Sequence, residues 1–444
     1  MLDPLYLNLI LFWGVWLIIP IIVDAIPGFF IAFHLFATHF KIKKQKILKS
    51  YPMVSVIIPV YNSASTLEAC IESVVKQKYP KNKIEIFLID NGSSDNSFEV
   101  FCKTHDAHPN SQMWWLTSGT GKVNALNKGL YLSKGDYLIN IDSDGILHED
   151  AIFNMIYDFE QDHSVSAMTG AILINKDTMT KDKHKKFLKL IQKCELYEYL
   201  EAFLVGRAYE SKRDNMFTLA GAFSGFRRSA IVKTHLYNAE TLGEDTAMTF
   251  EIKTSLNGKV KLCPTAYFFT DSIEGVDKLY LQRQRWQCGE LEVAALFKRQ
   301  NLSKKLKRMI TITLIKDHTF LFSRMIWFFG NIYLAASSYP LYIILLSNIL
   351  LYIMYSLISL CNFIVINKYL KNLKEYKSYY RRNFLIVFVM PLYRIFTFFM
   401  RALGAINSMD DESNWNRKTF KTERAEIAQY IKSIFSSKRN KSRG

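Results

Sequence analysis

The sequence predicts an α/β domain, a mostly parallel sheet with flanking helices, joined to transmembrane helices. Three observations predict it. Continuous apolar runs of strand length alternate with amphipathic stretches between residues 54 and 142, and that alternation builds parallel strands linked by crossover helices. Long apolar blocks lie on both sides of this region. Polar clusters fall where the predicted strands end, the place where open α/β sheets bind ligands.

Residues 5–38, "LYLNLILFWGVWLIIPIIVDAIPGFFIAFHLFAT", are long enough for one tilted or kinked span interrupted by Asp24 and Pro27. The block has no basic region ahead of it and is too long for a signal peptide. The following "KIKKQKILK" puts what comes next in the cytoplasm by the positive-inside rule.

"VSVIIPVY" (54–61) then reads as a buried parallel strand. "STLEACIESVVKQK" (65–78) reads as a helix, with Ser65 and Glu68 spaced for a capping box. "KIEIFLID" (83–90), "MWWLTS" (113–118) and "DYLINID" (136–142) are further strands. "NSFEVFCKT" and "KVNALNKGLYLS" (122–133) are the helices between them. Tyr61-Asn62, Asp90-Asn91-Gly92 and Asp142-Ser143-Asp144 fall at the strand ends.

Further on, "SKKLKRMITITLIKD" (303–317) reads as an interfacial amphipathic segment. Residues 325–366 have room for two crossings, and the basic 367–382 returns the chain to the cytoplasmic side. Residues 383–406 are apolar but carry Pro391, Arg394 and Arg401, and the tail from 407 is basic again. Both flanks cannot be cytoplasmic if 383–406 crosses once. A re-entrant or interfacial element is therefore expected there, the alternatives being an outside tail or a miscounted earlier span. The expected organisation is a membrane segment at 1–40, a cytosolic domain at 50–300, an interfacial segment at 301–323, a membrane region at 324–406 and a cytosolic tail at 407–444.

Composition narrows the function. The chain has 444 residues, is 49% hydrophobic and carries a formal charge of +17. Much of that excess marks loops beside an anionic leaflet. It does not interleave with a stacking platform, so no nucleic-acid partner is expected. Six cysteines are scattered without a CxxC pair, which excludes a disulfide framework or a zinc site and fits a reducing compartment. The histidines form no ligand-spaced cluster.

Asp142 and Asp144 are the sharpest chemical signal. Two ionised carboxylates at i and i+2 repel, and each raises the other's pKa unless a cation lies between them. Oxygen ligands of this kind suit Mg²⁺ or Mn²⁺ shared with phosphate oxygens. "GTGKV" (119–123) is not a P-loop, since the full glycine spacing and the Ser/Thr after Lys are missing.

"VSVIIPVYN", "LIDNGSSDNS", "GKVNALNKGL", "YLINIDSDGILHEDAI", "LAGAFSGFRRSAI", "LGEDTAMTFEI" and "QRQRW" occur in that order. As a set, covering about residues 50–300, they resemble the membrane-embedded family 2 glycosyltransferases, the group of cellulose, hyaluronan and poly-N-acetylglucosamine synthases. The likeness is greatest to the bacterial poly-N-acetylglucosamine type or the related transferases that accompany exosortases in Gram-positive bacteria. The resemblance implies a GT-A fold, a Rossmann-like sheet that binds a nucleotide diphosphate sugar. It implies inverting transfer from a UDP-sugar, with UDP-N-acetylglucosamine favoured, assisted by Mg²⁺ or Mn²⁺.

By the same resemblance, Pro59, Tyr61, Asn62 and Asp90 hold the uridine, Asp90 through the uracil edge. Asn91 stands where relatives carry a second Asp. Lys122 contacts base or phosphate, and Ser143 belongs to the donor site. Asp142 and Asp144 bind the metal, Asp144 directly; Asp142 has the ribose or a water-mediated contact as alternatives. Asp245 is the general base, and Glu244 is expected to project elsewhere. Gln282, Arg285 and Trp286 form a QxxRW signature on one helical face, Arg285 pairing with diphosphate and Trp286 stacking on the acceptor. Phe223, in "AGAFSGFRR", offers a face to the acceptor. Residues 185–206 are expected to pack near the membrane without chemistry of their own.

The implied acceptor is a growing polysaccharide, or a lipid-linked or short glycan receiving one sugar. Membrane lipid and an accessory subunit or second copy are the other partners. The rival class, a catalytically silent membrane scaffold, fits poorly with Asp142, Asp144, Asp245 and Arg285 all present.

Overall fold

A computed structural model describes residues 17–18, 20–38, 47–239, 241–298, 302–315, 320–337 and 339–410. The expected N-terminal segment up to residue 16, the basic 41–46 and the tail beyond 410 lie outside the described residues.

β1 (Val54–Val60) is buried at every position, as a strand covered on both faces must be. It pairs in parallel with β2 (Ile84–Asp90) on one side and with β4 (Tyr137–Ile141) on the other. β3 (Gln112–Thr117) extends the parallel set beyond β2. β5 (Gly145–Leu147), β6 (Val165–Ile174), β7 (Phe223–Arg227) and β8 (Lys259–Thr270) complete an eight-stranded sheet of order β3-β2-β1-β4-β7-β6-β8-β5. β7 runs antiparallel to β4 and β6. The sheet is thus mixed, parallel where the strands were foreseen and antiparallel around β7. The β1–β4 ladder ends at Ile57, so Pro59, which lacks an N–H, costs no bond on that side.

The crossover helices include α1 (Leu67–Val75), α2 (Ser97–Ala107), α3 (Lys122–Leu132) and α4 (Ala151–Gln161). α3 lies close on the sheet because Gly129 has no side chain; a Cβ there would meet Ile57 at 2.5 Å. The expected Ser65–Glu68 capping box does not form: Thr66 caps α1 with no side-chain bond. The preceding turn is tied instead to the next loop. Ala64 N–H donates to Asp95 and Ser63 N–H to Ser97 Oγ.

α5 (Lys186–Glu201), α6 (Glu244–Ser255) and α7 (Val276–Lys298) surround the second half of the sheet. α8 (Lys304–Leu314) begins with Ser303 Oγ accepting from Leu306 N–H. Its apolar residues Leu306, Met309 and Ile310 are buried against Phe217, Phe250 and Phe297. That side of the helix packs on protein, while Ile312 and Ile315 stay exposed.

Two described helical stretches, Leu341–Asn372 and Ile386–Leu403, are long and apolar enough to cross a membrane by length and composition. They belong to α10 (Leu341–Tyr369) and α12 (Ile386–Asp410), preceded by the shorter α9 (Phe320–Ala336). Between α10 and α12 lies α11 (Lys374–Arg382). Residues 383–406 fall largely in α12, one continuous helix with Pro391 inside it. Its arginines are matched by groups below. Arg394 pairs with Glu201 at 2.5 Å and Arg401 donates to Gln287 at 2.9 Å. A tyrosine seam joins this region to the sheet domain. Tyr376 stacks on Phe269, and Tyr197 OH donates to the carbonyls of Tyr380 and Asn383.

Glu195 of α5 is fully buried, with one oxygen accepting from Ile273 N–H and the other without a partner. Burial pushes its carboxyl up to about 7. An acid whose folded pKa is raised loses stability as pH climbs from its unfolded value to its folded one. Stability should therefore fall between about pH 4.5 and 7 by up to roughly 3 kcal/mol through this group. Glu195→Gln should remove that fall. Thermal unfolding of both proteins in detergent at pH 4 and pH 8 checks it: the difference appears at pH 8 and is nearly gone at pH 4.

Candidate active site

The carboxyl ends of β1, β2 and β4 open on one side of the sheet. Past β1, Asn62 adopts φ of 48°, and its Oδ1 accepts from Ser94 N–H at 2.8 Å. Asp90, the last residue of β2, accepts from Ser93 N–H at 2.9 Å. The two loops thus hold each other, leaving Tyr61 58% exposed beside them. Ser63 Oγ and Ser143 Oγ are 2.7 Å apart, tying the end of β1 to the turn after β4. Ser143 is accordingly buried; it faces inward while its two Asp neighbours face the cleft, which corrects its expected donor contact. Pro59 is also buried, so its part is to shape the strand end.

β7 brings a distant segment alongside. Because it runs antiparallel to β4, Phe223 pairs with Ile141, and Asp142 N–H donates to Ala222 O at 3.1 Å. Gly221 therefore lies beside the aspartate turn. Around it gather Lys122 from the start of α3 and Glu244 and Asp245 from the first turn of α6. A Cβ on Gly221 would find Asp245 Oδ2 at 3.4 Å, Glu244 Oε1 at 3.5 Å and Lys122 Nζ at 3.6 Å.

Lys122 Nζ lies 2.6 Å from Asp142 Oδ1 and 3.6 Å from Glu244 Oε1. Burial alone would depress its pKa, but Asp142 and then Glu244 more than reverse this and hold the ammonium charged. Burial raises the pKa of Glu244, with Lys122 pulling it back down. Glu244 thus faces the site rather than projecting elsewhere: both residues of the pair sit in the first helical turn, and the groups around Gly221 hold both. Asp245 is oriented from two sides. Gly221 N–H donates to its Oδ2 at 3.1 Å and Thr246 N–H to its Oδ1 at 2.7 Å.

Asp144 opens to the cleft but is flanked by protein on its other sides. Burial first, and then the charge of Asp142, push its carboxyl up to about 6, with Lys122 opposing. Among the described residues no group of three or more metal-ligating side chains assembles. The donor set is two carboxylates one residue apart, one of them short of counter-charge. That set fits Mg²⁺ or Mn²⁺, which keep waters and take further oxygens from phosphates.

The QxxRW residues lie on α7. Gln282 donates to Tyr199 OH at 3.2 Å. Trp286 is 47% exposed, with Arg283 4.5 Å above its ring, and Arg285 is exposed. α7 crosses the start of α6 where two glycines meet: a Cβ on Gly243 would lie 2.8 Å from Gly289 O. This crossing sets α7 one turn beyond Arg285 and Trp286 against the base of Asp245. Phe223 is a correction. It is fully buried, packed against Phe268 and close on Gly170, and has no face to offer an acceptor.

Two neighbours escaped sequence reasoning. Arg207 follows the π-helical turn Ala202–Gly206, stacks on Phe203 and feels the charges of Glu210, Asp245 and Glu290. Tyr199 touches both Gln282 and Trp286. Neither lies in a motif: Tyr199 is masked by the run of 185–206, and Arg207 follows it directly.

The profile of glycosyl transferase family 2 matches residues 55–234. The chain is 28% identical over 289 residues to a poly-beta-1,6-N-acetyl-D-glucosamine synthase of Staphylococcus epidermidis, covering 64% of this chain and 66% of that protein. It is 29% identical over 294 residues to the enzyme of the same name from Staphylococcus aureus, covering 65% and 66%. Among solved structures, a mannosyltransferase from Pyrobaculum calidifontis, in complex with GDP-Man and Mn²⁺, superposes with a TM-score of 0.59 at 15% identity. That likeness covers 88% of this chain and 99% of the other, and shows the fold.

The glycine crossing yields a prediction. Gly243→Ala must push α7 away from α6, because the contact is backbone and cannot swing aside. Overpacking of this kind should destabilise by about 1–3 kcal/mol, read as a lowered thermal midpoint in detergent. Ala295→Gly, exposed on the same helix and away from the crossing, should cost only about 1 kcal/mol, through helix propensity alone.

Proposed function

We propose that the chain, whose residues 55–234 match the family 2 glycosyltransferase profile, moves a sugar from a UDP-sugar to a growing polysaccharide at the cytoplasmic face of the cell membrane, with inversion. UDP-N-acetylglucosamine is the favoured donor, on the strength of the relatives' printed activity. The observation that carries this reading is the convergence of Lys122, Asp142, Glu244 and Asp245 about Gly221, at the carboxyl edge of the sheet.

In this reading the uridine lies between the loops of Tyr61-Asn62 and Asp90, with Asp90 toward the uracil edge. Asp142 and Asp144 would hold Mg²⁺ or Mn²⁺, which when bound supplies Lewis-acid neutralisation of the departing diphosphate. Lys122 keeps Asp142 in place and adds positive charge near the phosphates. Arg285 offers a planar fork to diphosphate oxygens, and Trp286 an exposed ring to the acceptor.

Asp245 accepts the proton of the attacking hydroxyl as the new glycosidic bond forms and the bond to the diphosphate breaks on the opposite face. Its oxygens already accept from Gly221 and Thr246 N–H groups. Thr246 Oγ1 also lies 3.3 Å from Oδ1, so these contacts fix the carboxylate and leave Oδ2 a further lone pair for the acceptor. The two apolar helices support a membrane location, and the basic connection between them supports a cytoplasmic domain.

Purified protein in detergent with Mn²⁺ or Mg²⁺ should release UDP from UDP-N-acetylglucosamine. Asp245→Asn should lower kcat by about 10²–10⁴-fold with little change in donor KM, and Asp144→Asn should abolish metal-dependent turnover. UDP release unchanged in Asp245→Asn would overturn the assignment of the base. Product sizing separates a polymer from addition of a single sugar.

A further inference from the structure

The connection between the two apolar helices is more than a turn. Lys371, Lys374, Lys377, Ser378 and Arg381 line a cavity of about 600 Å³. Residues 374, 377, 378 and 381 follow i, i+3, i+4, i+7 spacing, so α11 gathers them on one face. The opposite face is committed to the sheet domain. Tyr376 stacks on Phe269 and donates to Ile174 O, Tyr379 reaches Met179, and Tyr380 is buried against Tyr197 and Phe363. α11 therefore cannot roll, and its basic face is held outward.

Among the described residues no carboxylate neutralises that face: Lys371, Lys374, Lys377 and Arg381 have none within ion-pair distance. Glu375 is directed toward Lys176 at 3.7 Å, on the edge nearer the domain. Four cations held together without a counter-charge repel one another, and an anion that bridges them relieves this.

Position specifies the kind of anion. Lys371 lies at the end of the apolar stretch Leu341–Asn372, and Arg381 lies just before Ile386–Leu403 begins. A pocket fixed between two crossing helices sits at the level of the lipid headgroups. Leu385, between the basic face and the second helix, is 75% exposed and Phe388 39%, apolar surface that acyl chains can cover. Basic pockets between membrane helices on the cytoplasmic side are suited to phosphate headgroups, and Arg381 adds a fork that matches phosphate geometry.

We propose that Lys371, Lys374, Lys377, Ser378 and Arg381 form a binding site for the phosphate headgroup of an anionic phospholipid of the cytoplasmic leaflet, resting on the membrane reading above. The site anchors α11, and through its tyrosines the catalytic domain, at a fixed height on the bilayer.

The test uses the full chain purified in mild detergent and offered phosphatidylglycerol or phosphatidylcholine, with retained lipid counted by native mass spectrometry. Wild type should retain phosphatidylglycerol at least about tenfold over phosphatidylcholine. The triple variant Lys374→Gln, Lys377→Gln, Arg381→Gln should lose that preference. Ser378→Glu, which removes no packing, should weaken it and covers the case in which the triple variant misfolds. Lys81→Gln, Lys83→Gln, Lys134→Gln on the sheet domain removes equal charge and should change nothing.

Millimolar inorganic phosphate should leave the lipid bound. Displacement by phosphate would assign the pocket to a soluble phosphate compound and overturn the proposal. So would equal loss in the sheet-domain control, or full preference in both pocket variants. UDP release is measured in parallel. Lost lipid preference with transfer intact bears on this site alone, whereas failure to associate with vesicles of any composition removes the membrane reading itself.

Discussion

The site depends on one half-buried cation. Lys122 stands between Asp142 from the end of β4 and Glu244 from the start of α6, with Asp245 one residue on. Carboxylates this close would repel in a partly buried cleft, and the sheet edge could not hold them together. The ammonium makes the gathering possible, and α3 delivers it from its first residue. The same constraint explains the backbone around it. Gly221 leaves the room in which three charged side chains meet. β7 must run antiparallel so that its preceding residues return beside Asp142 rather than at the far edge.

This arrangement divides the acidic groups into two sets. Asp142, Glu244 and Asp245 are already held by protein donors, whereas Asp144 faces the cleft with its carboxyl pushed up and no protein cation closer to it than to its neighbour. The protein thus balances its own charge on the acceptor side and leaves a deficit on the donor side. That asymmetry suits the proposed chemistry, in which Asp144 would help to hold a divalent ion that neutralises the diphosphate.

The parallel half of the fold was legible because its signals are local. β1, β2 and β4 are unbroken apolar runs, and a run of that kind has few alternatives to a buried strand. Asp90 and Asp142 stand out for the same reason, each at the end of an apolar strand run, whereas Lys122 and Asp245 are singled out only by the resemblance to the family's motifs. What sequence reasoning missed depends on rotation about an element or on a partner far away in the chain. Ser143 turns inward because Ser63 waits there. Phe223 looked available in a glycine-rich stretch but fills the space that Gly170 leaves. Glu244 was judged by helical phase alone, and Lys122 decides its direction. α8 kept its amphipathic pattern, yet Phe217, Phe250 and Phe297 claim its apolar face. Periodicity reveals that a face will be buried, never by what.

The two long apolar helices extend the same logic of matched charge over a longer distance. Arg394 in α12 meets Glu201, while Glu198 holds both Arg283 and Tyr393. Arg283 in turn covers Trp286. A chain of contacts therefore runs from the second apolar helix through α5 to the ring proposed to receive the acceptor. An arginine within an apolar helix is costly unless it is paired, so these partners fix the height of α12 against the catalytic domain. Rotation of α12 would break an ion pair, and sliding of α7 would break the glycine crossing beside Asp245. The acceptor end of the cleft is thereby made rigid from below, while its donor end is built from loops that hold only each other.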